Sequence, residues 1–452
     1  MTNIYVEGED DMSKGQVAIV GFGYIGSVIG AVLADRGYKV FGVEKNPHIL
    51  ECIQNKKSPF NEPGLERLIE KTVTEERLFV SEDPASVRDC ETVIVTVGTP
   101  LSDDYRADTT QIEEAIKAIR PYLQKDVLVM IKSTVPPFTT SQLVAPLLEE
   151  IEGVKIAFCP ERLAEGNAIR EFLSIPIVVG GVDERSGKAA ALFWNQSLDT
   201  EVIEVSSATT AEMVKLSNNL WIDLNIALAG ELAKLADRLG IDVLEVIGAA
   251  NTLAKGAKGQ RVNILTPSVG VGGYCLTKDP WFVQQLGFEY GLELLLPRNG
   301  RVVNEGMPIY SASLIHNRLN ERFSDPSRVK IAVMGISFKN NTSDCRFTPT
   351  KPVIDELLRL GYNIEICDPW TSAEDERLVT DLPVSKNVED TIREADCIAF
   401  LAGHQEFHSL SIERIAELAN EHALIFDGRM FFKREDIEKM RRLGLTYKGV
   451  GR

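Results

Sequence analysis

After sixteen mostly polar residues the chain enters an apolar run, Val17-Ala-Ile-Val20, which breaks at Gly21, Gly23 and Gly26. Apolar residues then return at Val28, Ile29, Val32 and Leu33, the spacing of one buried helix face, and stop at Gly37. A second strand-like run ends at Glu44. Further apolar runs lie over 92–97, 127–131, 154–158 and 177–179, with helical patterns between several of them, as over 111–123 and 140–151. Runs apolar on both faces, alternating with amphipathic helices, predict a doubly wound, mostly parallel sheet.

From 206 to about 240 the pattern is helical without a proline, through Lys215, Asn219, Trp221, Leu224, Leu228, Leu232 and Leu235. So long a helix bridges domains or forms a subunit interface. Lys215 and Asn219, four apart, share a face, which without other chemistry reads as a solvated polar stripe. Beyond Ser324-Asp-Pro-Ser327 a second α/β pattern begins, with runs over 329–334, 363–367, 396–401 and 423–426. The expected fold class is α/β: two Rossmann-like doubly wound domains, 14–205 and 325–452, joined by a long-helix central domain, 206–310.

Chemistry gathers at the strand ends. The order strand, Gly21-Phe-Gly23-Tyr-Ile-Gly26, helix, strand, Glu44 is that of a dinucleotide-binding unit. Its glycines allow the tight turn and the approach of a pyrophosphate to the helix N-terminus. Glu44 accepts ribose hydroxyls and repels a 2′-phosphate, which favours NAD over NADP. The loops Gly98-Thr99-Pro100, Ser133-Thr134-Val-Pro136 and Pro160-Glu161-Arg162-Leu-Ala-Glu165-Gly166 follow strand ends, where ligands of such sheets lie. The second half lacks the glycine spacing, which implies a different ligand; Lys339, Arg346 and Arg429 lie at its strand ends or loops, where a diphosphate is gripped.

One stretch stands apart: Gly270-Val-Gly272-Gly-Tyr274-Cys275-Leu-Thr-Lys278-Asp279-Pro280. Asp279 and Pro280 read as N-cap and first position of a helix. Cys275 then lies near a positive helix end and beside a lysine, and both lower a thiol pKa. A buried, inert cysteine in a turn is the bland alternative.

Composition bounds this picture. A chain of 452 residues, 44% hydrophobic and 25% charged, accommodates two or three ordinary globular domains. A net charge of −17 argues against nucleic-acid or anionic-membrane partners, and no apolar stretch reaches membrane-spanning length. Residues 1–13 read as a solvated extension without a signal-peptide pattern. Seven scattered cysteines without a CxxC pair, and five histidines without ligand spacing, predict a reducing compartment, the cytoplasm by default, and neither a disulfide framework nor a metal site.

In this order the motifs GFGYIG, VGTP, STVP, PERLAEG, MVKLSNN, GVGGYCLTKDP, GISFKNNTSD and FDGR resemble the UDP-glucose/GDP-mannose dehydrogenase family, over nearly everything from Val17 to Arg429. The resemblance implies an NAD-binding domain, a central helical region that forms a homodimer, and a domain for the nucleotide sugar. It implies a four-electron oxidation of the sugar's 6-hydroxymethyl group to a carboxylate by two NAD in succession, through a cysteine thiohemiacetal and thioester. Cys275 matches the family nucleophile and Lys215 the family lysine, which stabilises an oxyanion or moves a proton. Asn219 holds that lysine or a water, Glu161 and Asp279 match carboxylates that assist thioester hydrolysis, and Thr134 positions the water. For NAD the carry-over falls on Gly21, Gly23, Tyr24, Ile25, Gly26, Glu44, Thr99, Thr134, Glu165 and Arg346. For the sugar nucleotide it falls on Leu163, Lys215, Asn219, Arg261, Gly272, Lys278, Lys339 and Arg429. One departure is Ile49, where many members carry a basic residue; Lys45 is the substitute in reach.

The sugar is marked less clearly. Lys278 before Asp279 resembles the UDP-glucose and GDP-mannose branches, whereas Pro160-Glu-Arg162, Arg261-Val-Asn-Ile264, Asp279-Pro-Trp-Phe282 and Tyr274 resemble the UDP-N-acetylhexosamine branch. The balance favours a UDP-N-acetylhexosamine, of mannosamine or glucosamine type, over UDP-glucose. Two other classes share parts of the pattern: a two-electron β-hydroxyacid dehydrogenase, which needs no cysteine, and a non-catalytic NAD-binding sensor, which needs none of Cys275, Lys215, Asn219, Glu161 and Asp279.

Overall fold

The computed structural model describes residues 14–102, 104–255 and 260–452, without the side chains of 254, 255, 260 and 261. The expected extension over 1–13 and the side chain of Arg261 lie outside the described residues. The chain divides into two compact units between Ser217 and Asn218.

In the first unit the described strands are β1 Gln16–Val20, β2 Lys39–Val43, β3 Leu78–Ser81, β4 Thr92–Val95, β5 Leu128–Ile131, β6 Lys155–Phe158, β7 Ile177–Gly181 and β8 Val202–Glu204. They form one sheet in the order β3-β2-β1-β4-β5-β6-β7-β8, parallel throughout except that β7 runs antiparallel to β6. The departure from an all-parallel sheet follows from the β6–β7 connection, which is mostly irregular around a five-residue helix, Ala168–Phe172. Helices cover both faces. Ile29 and Leu33 pack with Trp194 in one core, and Ile112, Ile116 and Leu148 in the other, all 0% exposed. The strand order reverses between β1 and β4, whose ends Val20 and Val95 are register partners, so the ligand crevice opens there. The helix expected over 140–151 is instead a π-helical turn, Thr139–Val144, continued by Ala145–Leu148. Pro146 has no amide for the carbonyl four residues back, and the buried Glu212 carboxylate takes the Phe138 and Thr140 amides, each at 2.7 Å.

The helix Ala208–Leu239 has 32 residues and is about 48 Å long. In the second unit, β9 Ala254–Lys255 pairs antiparallel with β10 Gln260–Arg261. The second sheet contains β11 Lys330–Met334, β12 Asn363–Cys367, β13 Val384–Ser385, β14 Cys397–Phe400, β15 Leu424–Asp427 and β16 Thr446–Gly449, all parallel, in the order β13-β12-β11-β14-β15-β16. Its core joins Val333 and Phe426 to Ala233 of the helix Ala208–Leu239 and to Met307 and Ile315 of the helix Leu295–Asn320. Asp237 ties the long helix to the end of the sheet by accepting from Tyr310 (2.6 Å), the Gly451 amide (3.1 Å) and Lys448.

The turn after β11 repeats the backbone of the turn after β1. Gly335 has φ +85° and donates to the Cys367 carbonyl at 2.8 Å, as Gly21, φ +88°, donates to Val43 at 2.9 Å. What differs is the acid after the second strand. Asp368 turns back, so that Oδ2 accepts from Ile336 N (2.8 Å), Ser337 N (3.3 Å) and His404 Nε2 (3.1 Å), while Oδ1 accepts from Trp370 N (2.9 Å). A carboxylate occupies amides that a phosphate would otherwise take, which gives the missing glycine fingerprint a physical meaning.

Burial alone would raise the Asp368 pKa, but the His404 and backbone hydrogen bonds together hold it below the usual range. A lowered folded-state pKa contributes stability above the unfolded value of about 3.9, and that stability is lost as pH falls through the folded value. Asp368→Asn is expected to destabilise the fold by about 2–3 kcal/mol near neutral pH. In denaturant titrations the gap from wild type should close below about pH 4; a gap that is constant with pH would contradict the assignment.

Candidate functional site

The first unit supplies a dinucleotide cleft. A Cβ on Gly21 would lie 2.9 Å from the Val97 amide nitrogen, and one on Gly26 would lie 2.3 Å from the Gly21 carbonyl oxygen. These two glycines permit the turn and the close approach of helix to strand. Gly23 differs, because a Cβ there meets nothing within 4 Å. It is the N-cap of the helix Tyr24–Asp35, which begins with Tyr24 and Ile25, both half-buried. That positive helix end opens on a cleft of about 490 Å³ lined by Gly21, Gly23, Glu44, Lys45, Thr96 and Gly98. Glu44 Oε1 accepts from the Lys45 and Asn46 amides at 2.8 and 2.9 Å. Its other oxygen has no hydrogen-bond partner among the described residues, which fits a ribose diol. Ile49 is buried in the core, so its side chain serves packing, while Lys45 lines the cleft.

Three loops around this cleft are tied together. Thr99 is buried and donates to the Thr134 carbonyl at 2.5 Å, and Ser133 donates to the Val97 carbonyl at 2.7 Å. The Tyr24 hydroxyl donates to Glu62, whose Oε2 also accepts the Gly166 amide at 2.7 Å. Burial, and then the bond to Glu62, push the Tyr24 phenol well above its ordinary pKa. Glu62 thereby joins the dinucleotide turn to the loop carrying Glu161, Leu163 and Glu165. Glu161 is buried; it accepts the Leu163 amide, and its Oε2 lies 3.8 Å from Lys132 Nζ. Lys132 is itself buried, with its ammonium 5.2 Å from the centre of the Trp194 ring. Arg162, half-buried, donates to the Pro176 carbonyl inside the first unit.

Glu62 and Lys132 were not singled out by the sequence reading. A signal was present for each: an acid in a Pro-Gly turn, Asn61-Glu-Pro-Gly64, and a lysine directly following a fully buried strand.

The second unit presents the cysteine. The helix is Tyr274–Glu289 with Gly273 as N-cap, so the expectation that it starts at Pro280 behind an Asp279 cap is corrected. Cys275 lies in the first turn, exposed, and Pro280 lies inside the helix. The bend before it is close-packed: a Cβ on Gly272 would lie 2.5 Å from Phe338 Cβ, and Gly273, φ +84°, donates to the Arg346 carbonyl at 3.1 Å. One turn on, Asp279 is fully buried, accepting from Lys278 Nζ at 2.9 Å and from Asn219 Nδ2 at 2.5 Å. Lys278 is buried too, its ammonium 4.5 Å from the Phe282 ring centre. Lys215, buried, precedes Asn219 by one turn of the same helix.

Arg429 follows β15, half-buried, and donates to the carbonyls of Leu401 (2.7 Å) and Phe338 (2.9 Å). Its guanidinium has no carboxylate partner among the described residues, and burial pulls it down to about 10. Lys339, half-buried, is adjacent to Phe338 in the turn after β11. Arg346 forks onto Asp344, with Nε 2.9 Å from Oδ1, and its guanidinium lies 5.9 Å from the Tyr274 ring centre.

Comparison with known proteins matches three parts of one family. Its UDP-glucose/GDP-mannose dehydrogenase NAD binding domain covers residues 15–197, its central domain 209–306 and its UDP binding domain 332–434. A UDP-N-acetyl-D-mannosamine dehydrogenase of Methanococcus aeolicus is 34% identical over 410 residues, covering 90% of this chain and 88% of that protein. The structure of a UDP-D-ManNAc dehydrogenase from Pyrococcus horikoshii aligns with a TM-score of 0.85 at 30% identity, over 97% of this chain and 99% of that one. A UDP-glucose dehydrogenase from Pyrobaculum islandicum also aligns at 0.85, with 27% identity, over 99% and 100%.

Glu62→Ala removes the carboxylate shared by Tyr24 and the Gly166 amide. NAD binding, measured by titration calorimetry, is expected to weaken by about tenfold, because the loop is then ordered only on binding. An unchanged dissociation constant would show that the Glu62 tie does not organise the cleft.

Proposed function

The chain belongs to the UDP-glucose/GDP-mannose dehydrogenase family, and from that premise we propose that it oxidises C6 of a UDP-N-acetylhexosamine from alcohol to carboxylate. On this reading residues 14–205 bind NAD, 206–310 form the dimer and 325–452 hold the UDP moiety. The observation that carries it is the Cys275 turn: an exposed thiol in the first turn of a helix, one turn from a buried Lys278–Asp279–Asn219 cluster.

Gly21, Gly23, Gly26 and Glu44 with Thr99, Thr134, Glu165 and Arg346 would hold NAD, which would supply the hydride acceptor when bound. Cys275, as thiolate, adds to the aldehyde carbon, and after the second oxidation its sulfur carries the acyl group as a thioester. That bond keeps the half-oxidised sugar on the protein and leaves it open to water. Lys215 stabilises the oxyanion. Asp279 has both oxygens committed to Lys278 and Asn219, which suits a positioning role. Glu161, opposite Lys132, is then the residue that activates water with Thr134. Arg429, half-buried and with its guanidinium hydrogen-bonded to neutral carbonyls alone, suits the diphosphate, with Lys339 beside it.

For the sugar, the equal TM-scores of the mannosamine-type and glucose-type structures leave the backbone neutral. Arg162 loses weight because its guanidinium is used by the Pro176 carbonyl. Tyr274 and the name of the Methanococcus aeolicus relative together favour UDP-N-acetyl-D-mannosamine. The reaction is placed in the cytoplasm, where a catalytic thiol stays reduced. Among the described residues no helix is long and apolar enough to cross a membrane.

The homodimer has its own support. Trp221, Leu228 and Leu235, seven apart on the long helix, are each about half exposed, and Val302 and Ile309 repeat the spacing on the helix Leu295–Asn320.

Two outcomes are expected. Across UDP-N-acetylmannosamine, UDP-N-acetylglucosamine, UDP-N-acetylgalactosamine, UDP-glucose and GDP-mannose, the first should give the highest kcat/KM and two NADH per sugar. Cys275→Ala should form no acid; a yield of one NADH, or acid formed by the alanine variant, would reject the mechanism. Leu228→Glu/Leu235→Glu should sediment as a monomer at micromolar concentration where the wild type is a dimer. A monomeric wild type, or a double variant that stays dimeric, would remove this interface.

A further inference from the structure

The helix that carries Cys275 contains a proline, and a proline inside a helix leaves the carbonyl four residues earlier without its amide donor. For Pro280 that carbonyl belongs to Leu276, the residue after the cysteine. The carbonyl is not abandoned: Arg301 Nη1 donates to it at 3.3 Å. The same nitrogen donates to Asp223 Oδ1 at 2.8 Å, and both side chains are almost fully buried. Asn304 completes the cluster, donating to the Asp223 carboxylate at 2.8 Å and to its backbone carbonyl at 2.9 Å.

Asp223 follows Asn219 by four residues on the long helix, so the two lie on one face. Asn219 holds Asp279 directly; Asp223 holds Leu276 through Arg301. The long helix therefore grips the cysteine-bearing turn at two points, on either side of Lys278. Gly300 permits the closeness, because a Cβ there would lie 2.7 Å from Leu224 and 3.4 Å from Asp223 Oδ2.

This arrangement is poorly suited to stability alone. Asp223 Oδ2, Arg301 Nε and Asn304 Oδ1 are buried without a hydrogen-bond partner among the described residues. Buried ion pairs with unsatisfied atoms are commonly matched or bettered by apolar side chains of similar volume. A group retained at such cost fits a requirement for position.

We infer that Arg301 and Asp223 are positioning residues for the nucleophile: the guanidinium replaces the amide that Pro280 lacks and fixes the turn on which Cys275 is presented. The role in turnover rests on the proposed dehydrogenase reading; the geometry of the turn does not.

The test uses the full-length protein and compares wild type, Asp223→Leu/Arg301→Met, and that pair with Pro280→Ala, which returns an amide to the Leu276 carbonyl. Carbamidomethylation of Cys275 by iodoacetamide, followed by mass spectrometry of its peptide, needs no substrate. The pair should slow this alkylation by about tenfold and lower kcat by about 10- to 100-fold, with KM for the sugar nucleotide within about threefold of wild type. Adding Pro280→Ala should recover about half of each logarithmic loss, a response that a merely structural role does not give. Wild-type alkylation and kcat in the pair, or no recovery with Pro280→Ala, would overturn the inference. If the apolar pair does not fold, Arg301→Lys with and without Pro280→Ala carries the same comparison, because it keeps a cation for Asp223 but has no planar fork. A wild type inert toward every sugar nucleotide, with the alkylation contrast intact, would reject the dehydrogenase reading and leave the positioning standing.

Discussion

Backbone amides in the loops beyond the strands have no strand to pair with, and in this chain buried carboxylates accept several of them. Glu212 takes the amides of Phe138 and Thr140, and Glu62 that of Gly166. Asp368 takes those of Ile336 and Trp370, and Asp427 those of Arg429 (3.1 Å), Phe431 (2.8 Å) and Phe432 (3.1 Å). A parallel sheet sends its crossovers away from one end, so the loops there must be held by something other than ladder bonds. A charged acceptor contributes about twice what a neutral one does, and it converts irregular segments into fixed walls for a ligand. Part of the acidic balance of −17 is thus internal and structural, and says less about binding partners than a surface charge would.

The same constraint separates the two halves. Each begins with a strand, a left-handed glycine and a second strand followed at once by an acid. Glu44 bonds to the amides just after it and leaves the Gly21–Gly23 turn open. Asp368 reaches back to the amides just after Gly335 and closes the equivalent turn. One fold plan therefore leaves the turn open in the first unit and seals it in the second, where the proposed diphosphate contact is Arg429 instead. Acid placement, more than the glycine count, decides which turn can accept a dinucleotide.

Much of this was legible in the sequence where burial is uniform. Central strands such as Val17–Val20 and the runs at 92–97 and 127–131 are apolar on both faces and declare themselves. The edge strands β3, β8, β13 and β16 are short and partly exposed, so no long apolar run marks them. The two helix errors both turn on proline. Pro146 disturbs a helix that periodicity alone continues, and Pro280 starts none, because Arg301 supplies what the ring removes. The motif residues of the site were readable as motifs. Glu62, Lys132, Asp223 and Arg301 were not, because periodicity assigns charged residues to solvent, and only three-dimensional packing shows a charge turned inward.

The cysteine turn shows why those inward charges matter. Its thiol is exposed, while the neighbouring Lys278 and Asp279 are buried and bound to each other. In the proposed mechanism the nucleophile must meet a carbonyl carbon, hold it through a second oxidation and then release it to water, so it has to be accessible at each stage. Access usually brings motion, and a displacement of about 1 Å in a reacting group is costly. Here the two demands fall on different atoms. The sulfur is open, and the backbone beneath it is fixed by Gly272 and Gly273 packed on Phe338, by Asp279 held to Asn219, and by the Leu276 carbonyl held to Arg301. Proline contributes to that division: by deleting one helical bond it makes the turn depend on side chains from two other helices, so the position of the thiol is set by tertiary packing rather than by the local helix alone.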